Sequence, residues 1–69
     1  MYIITTKEIL KISSFLIKLI GIYITKEYKY YIYYTNNEKL INMFKKENKF
    51  LCKDIKSVIS YLLLHKGEI

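Results

Sequence analysis

The chain contains no proline, tryptophan, arginine, alanine or glutamine, and has only two glycines and one cysteine among its 69 residues. One cysteine excludes an internal disulfide. With His65 as the single histidine, no set of Cys and His ligands for zinc exists at any spacing. Gly21 and Gly67 stand alone, which excludes a glycine-rich loop that cradles phosphate. The absence of arginine leaves all basic charge on lysine, a flexible point charge and not the planar fork that reads guanine edges or phosphates bidentately. Together with abundant Ile, Lys, Tyr and Asn, these absences mark the codon usage of an AT-rich genome, a statement about nucleotide content and not about function.

Long hydrophobic runs are missing too. The most apolar window, residues 12–24, is interrupted by Ser13, Ser14, Lys18 and Gly21, so it is too short and too polar for a spanning helix of about 20 residues. Residues 1–6 carry no Lys, and no small-residue cleavage site follows, so a secretory signal is not expected. The expected location is cytoplasmic, in the host cell if the gene is viral.

What is present is basic and sticky. Twelve Lys face six acids for a formal charge of +6, and 52% of positions are hydrophobic. That balance fits one small folded domain, residues 1–69. A domain of this size buries only about 60% of the surface its unfolded chain exposes. Without a disulfide or a structural metal, the remaining support is oligomerisation or docking on a partner.

The pattern along the chain predicts an α-β-β-α-α order with a possible N-terminal edge strand at residues 1–4. Thr5-x-x-Glu8 reads as a capping box opening a helix over residues 6–20, with Lys7, Lys11, Ser14 and Lys18 on one stripe and Gly21 as its stop. The apolar arc of that helix is too wide for one neighbour to cover. Residues 22–25 and 28–34 have the β-branched and aromatic composition of strands, joined by a turn at Lys26 and Glu27 where no Gly or Asn supplies positive φ. Thr35-x-x-Glu38 is a second capping box, before a helix over residues 37–47 that buries Leu40, Ile41 and Phe44 and ends around Asn48. Phe50, Leu51 and Cys52 form an extended link. Asp54 caps a third helix reaching His65, with Ile55, Val58, Ile59, Leu62 and Leu63 inward, Tyr61 and Leu64 on the polar side, and Gly67 just beyond. The fold class is a small single-domain α+β protein, with helices packed on a short antiparallel sheet.

The chemistry-bearing residues do not assemble into a catalyst. Cys52 with His65 lacks an orienting group and an oxyanion site, so Cys52 reads as a small buried hydrophobe and His65 as a favourable charge at a helix end. The acids form no carboxylate pair at a defined spacing. No enzyme activity, cofactor, metal or small-molecule substrate is expected.

Binding is the remaining class. In the strand over residues 28–34, Tyr28, Tyr30, Ile32 and Tyr34 share one face, and Lys29, Tyr31 and Tyr33 share the other. Both faces are aromatic, and one internal core accounts for only one of them. Tyr buries a large ring while keeping a polar tip, which favours it at interfaces. The candidate partner-binding residues are Tyr28, Tyr30, Tyr31, Tyr33 and Tyr34, with Lys26, Lys29, Lys45, Lys46, Lys49 and Lys53 setting orientation and encounter rate. The expected partner is a protein or a second copy of the chain in a homodimer. Small size and composition suit a phage or mobile-element accessory protein that inhibits a host nucleic-acid-handling or defence complex, in the manner of an anti-CRISPR protein.

Two alternatives stand beside this reading. Lys45, Lys46, Lys49, Lys53 and Lys56 near exposed Tyr rings would neutralise phosphates while the rings stack on single-stranded bases. A helix-turn-helix made from the last two helices is poorly equipped, since its connection is long and the third helix has no Arg, Asn or Gln for base edges. A peripheral membrane protein would instead lay the first helix on the headgroups.

Overall fold

The computed structural model describes residues 1–47 and 49–65. The elements run β1 (Tyr2–Thr5), β2 (Lys18–Ile24), β3 (Lys29–Tyr34), α1 (Glu38–Lys46), β4 (Phe50–Cys52) and α2 (Ile55–His65). The strands form one antiparallel sheet in the order β2-β3-β1-β4. The α+β class holds, while the order of elements becomes β-β-β-α-β-α.

The centre of the sheet is buried on both sides. Adjacent residues of a strand point to opposite faces, and Ile3 and Ile4 of β1 are both fully buried. On one face Ile4, Tyr30 and Cys52 pack with Val58 and Leu62 of α2. On the other, Ile3 and Tyr33 pack with Phe44 of α1, with Ile17, and with Ile9 and Ile12 of the long connection from β1 to β2. Residues 1–4, expected at an edge, therefore supply the strand between β3 and β4. Tyr2 lies opposite both Tyr34 and Cys52, and Ile4 opposite both Ile32 and Phe50.

The largest departure from the sequence pattern is the absence of a helix over residues 6–20. Ser and Thr hydroxyls take over the backbone locally: Thr5 Oγ1 accepts the Lys7 N–H at 3.2 Å and Ser13 Oγ accepts the Phe15 N–H at 3.2 Å. A short turn follows in which the Leu16 N–H donates to the Ser13 carbonyl at 2.9 Å, and β2 begins at Lys18. Strand pairing wins because β3 offers a partner to the whole β-branched run. A helix would have left most of its wide apolar arc without a neighbour. Gly21, expected as the helix stop, instead sits inside β2 opposite Ile32, beside a register irregularity between Leu19 and Gly21. A Cβ there would meet only Ile32 Cδ1 at 3.9 Å, an ordinary contact.

The β2–β3 turn solves its lack of Gly and Asn with a side chain. Thr25 N–H donates to the Tyr28 carbonyl at 2.8 Å, and Thr25 Oγ1 accepts the Tyr28 N–H at 2.9 Å, the bond that a carbonyl would otherwise receive. Before α1, the capping residue is Asn37, whose Oδ1 accepts the Leu40 N–H at 3.1 Å. Thr35, predicted to fill that role, is buried and donates its hydroxyl to the Leu16 carbonyl at 2.6 Å, which ties the start of β2 to the end of β3. The Lys49 N–H donates to the Phe44 carbonyl at 3.0 Å at the far end of α1. The predicted stops at Asn48 and Gly67 lie outside the described residues. Residues 50–52 are a true strand rather than a link.

Helix α2 starts as expected, with the Ser57 N–H donating to Asp54 Oδ1 at 2.8 Å, but it is rotated from the predicted orientation. Val58 and Leu62 are buried and Tyr61 is half-buried, its ring stacked on Phe50 with centroids 3.6 Å apart. Ile55, Ile59 and Leu63, expected inward, are exposed. The stack on Phe50 draws Tyr61 to the sheet and turns the Ile55 side of the helix outward.

Candidate protein-interaction surface

The tyrosines divide between interior and rim. Tyr30 is 1% exposed and Tyr33 4% exposed, so neither is available to a partner, and both leave the predicted contact set as core residues. Tyr33 Oη accepts the Ile9 N–H at 2.8 Å and so pins the β1–β2 connection to the sheet. Tyr30 Oη finds no hydrogen-bond partner among the described residues. Tyr31 and Tyr34 are half-buried; Tyr34 packs against Tyr2 with centroids 5.0 Å apart and donates to Asn36 Oδ1 at 2.7 Å. Tyr28 remains exposed at the hairpin end, 6.1 Å from the Tyr30 ring.

The lysines do not converge with them. Lys29 Nζ lies 5.3 Å from the Tyr31 ring centroid, the one cation–π contact among the described residues. Lys26 and Lys29 belong to the β2–β3 hairpin end, whereas Lys49 and Lys53 flank β4. In the strand order β4 lies two spacings from β3 and three from β2, roughly 10–14 Å. Lys45 and Lys46 occupy the last turn of α1, where their charge complements the helix dipole. A single Lys–Tyr face is therefore not formed.

What the molecule presents outward is aliphatic. Along α2, Ile55, Ile59 and Leu63 fall at i, i+4 and i+8 and are 44%, 52% and 56% exposed. With Val58, Tyr61 and Leu62 they extend the apolar arc of α2 to roughly 200°, of which the sheet covers only part. Along β2, Leu19, Ile20, Ile22 and Ile24 are exposed, and so are Leu10, Phe15 and Leu16 in the connection before it. An open groove of about 540 Å³ runs between residues 8–12 and Met43, Phe44 and Glu47 of α1. The signal that could have located the α2 ridge is in the sequence: residues 55–64 are apolar at seven of ten positions, too many for one buried stripe.

Three titratable groups depart from their ordinary values. Burial, and secondarily the nearby Asp54 carboxylate, push the Cys52 thiol up from its ordinary value and keep it protonated. The Ser57 backbone N–H, then the Ser57 hydroxyl, hold Asp54 below the usual carboxylate range. Burial pushes the Tyr61 phenol up, reinforced by Tyr30 and Cys52. Among the described residues no group of three His, Cys, Asp or Glu side chains is placed to hold a metal ion, and no helix is long and apolar enough to cross a membrane. The absence of a helix over residues 6–20 removes the element on which the membrane-surface alternative depended. Comparison with known protein families, with curated proteins and with solved structures gives no match to this chain.

Proposed function

We propose that this chain is a non-catalytic protein-binding module that docks through the outer ridge of α2. The observation that carries this reading is the row Ile55, Ile59 and Leu63, three aliphatic side chains at helical spacing that stay about half exposed among the described residues. A ridge at i, i+4 and i+8 fits a hydrophobic groove on another protein, the helix-in-groove mode of recognition. Lys56 and Ser60 border it on the solvent side, giving the apolar centre a polar rim. The excess of Lys quickens encounter with an acidic surface without adding much affinity. Within this reading the chain acts by occupation, as a stoichiometric inhibitor of a nucleic-acid-handling or defence complex does.

A photo-crosslinking residue placed at Ile59 or Leu63 in producing cells is expected to yield discrete protein adducts, and the same residue at Lys45 to yield few. Ile59→Asp should remove the adduct formed from position 63, while Lys45→Glu with Lys49→Glu should only slow its formation. Two results overturn the proposal. One is binding of a generic single-stranded oligonucleotide that falls steeply with salt and is lost in the double Lys variant. The other is sedimentation with anionic vesicles that Ile59→Asp abolishes.

A further inference from the structure

We propose that β2 is also a self-association edge, pairing antiparallel with β2 of a second copy about a two-fold axis at Ile22. This inference rests on a different element from the α2 ridge, so either can fail alone.

The sheet has two edges, and they are treated differently. β4 is a three-residue strand flanked by Lys49 and Lys53, short and charged as protected edges are. β2 is seven residues long, carries its only charge at Lys18, and has no proline. One protective device is present, the irregularity between Leu19 and Gly21, and it leaves the pairing from Gly21 to Ile24 regular.

The hairpin turn reveals which backbone groups face outward. Thr25 donates to the Tyr28 carbonyl, so Thr25 and Tyr28 are a hydrogen-bonded pair. Such pairs alternate along an antiparallel ladder, so Tyr23 and Gly21 also direct their N–H and C=O toward β3. Ile22 and Ile24 then direct theirs to the free edge. Antiparallel pairing centred on Ile22 lets the two copies of that residue exchange both hydrogen bonds across the axis.

The same register sets Gly21 against Tyr23 of the second copy in a close, non-hydrogen-bonded pair. Both residues lie on the α2 side of the sheet, where the ring can cover the bare glycine. Ile22 and Ile24 lie on the opposite side, 47% and 70% exposed, and their counterparts extend that apolar strip across the axis. A two-fold contact is self-complementary and closes at two copies.

Charge tolerates this occupant. The register sets Lys18 near Lys26 of the second copy at each end of the contact, both at solvent-exposed positions where the repulsion is screened, while residues 20–24, which pair across the axis, carry no charge. The folded chain exposes 5235 Å², where the usual scaling for a monomer of 8.4 kDa gives about 4,600 Å². The chain therefore leaves more surface open than a monomer of its size ordinarily does, as expected of a subunit that pairs.

Light scattering across about a hundredfold range of concentration should show the mass rising from 8.4 kDa toward twice that value. Because both copies carry a charge of +6, added salt should tighten the pair, opposite to the behaviour of a nucleic-acid complex. Ile24→Lys should weaken the pair at least about tenfold with the far-ultraviolet spectrum unchanged, while Ile59→Ser leaves it intact. Hydrogen exchange on the unmodified protein gives an independent reading, with the Ile22 and Ile24 amides slowing as concentration rises. A constant mass of 8.4 kDa, or a pair abolished by Ile59→Ser and untouched by Ile24→Lys, overturns the proposal. The first of these results leaves the docking role of α2 standing.

Discussion

The two faces of the sheet bury comparable sets of side chains by different means. On one, α1 covers Ile3 and Tyr33 with the help of Ile9, Ile12 and Ile17, and its own exterior is polar, with Glu38, Lys39, Asn42, Lys45 and Lys46 outward. The buried Tyr33 hydroxyl there accepts a backbone N–H. On the other, α2 covers Ile4, Tyr30 and Cys52 while leaving an aliphatic ridge outside and the Tyr30 hydroxyl buried without a hydrogen bond among the described residues. Helix α1 turns a mostly polar side to solvent and α2 an aliphatic one, while on the α1 side of the sheet Ile22 and Ile24 of β2 stay exposed. The aliphatic ridge on α2 is informative because α1 shows that the same chain can cover a core with a helix whose outer side is mostly polar.

The largest effects should come from cutting into each face. Phe44→Ala, at a fully buried site under α1, should cost about 3–5 kcal/mol in urea unfolding, while Ile59→Ala on the α2 ridge should stay within about 0.5 kcal/mol. Equal losses at the two positions would show that the ridge is packed in the isolated chain, and would break the comparison.

The two buried tyrosines sharpen it through opposite signs. Tyr33→Phe removes the acceptor of the Ile9 N–H and should lower stability by about 1 kcal/mol. Tyr30→Phe removes an unsatisfied buried hydroxyl and should raise stability, by up to about 1 kcal/mol. Loss of stability in both variants would mean that the α2 face satisfies its polar groups as fully as the α1 face. At the helix starts, Asn37→Ala should cost about 1 kcal/mol, read from the same unfolding curves.

Smaller effects follow from titration. Asp54 is held below its ordinary value of 3.8, so its contribution is complete above about pH 4 and is lost as pH falls through the lowered folded-state value. The stability difference between the unmodified protein and Asp54→Asn should therefore shrink steadily as pH falls from about 4 to about 2. At the alkaline end, Cys52 and Tyr61 are raised above 9.0 and 10.0, so the unfolded chain gives up these protons first. Stability should fall as pH rises beyond about 9, and Cys52→Ala should delay the onset of that fall.

Much of the framework was readable from residues close together in the chain. Asp54 marked the start of α2, Leu40, Ile41 and Phe44 marked the inner stripe of α1, and the run from Tyr28 to Tyr34 read as a strand. The burial of Cys52 also followed from residue type. The binding residues were less readable, because the alternation in β3 told which tyrosines share a face but not that both faces are covered. Tyr30 and Tyr33 thus moved from the contact surface to the two cores, and the lysines proved to be spread over separate edges.

Composition and local pattern alone establish a basic α+β chain without an internal disulfide, with a third helix too apolar to bury on one side, because those properties depend on residue identities and spacings of a few positions. Long-range contact settled the rest. Residues 18–20 became strand instead of helix because β3 was there to pair with them, β1 became central because β4 returned from beyond α1 to its other side, and Phe50 set the rotation of α2 by stacking on Tyr61. Each of these outcomes joins segments separated by ten or more positions, and a periodicity that spans one helical turn carries no information about such partners.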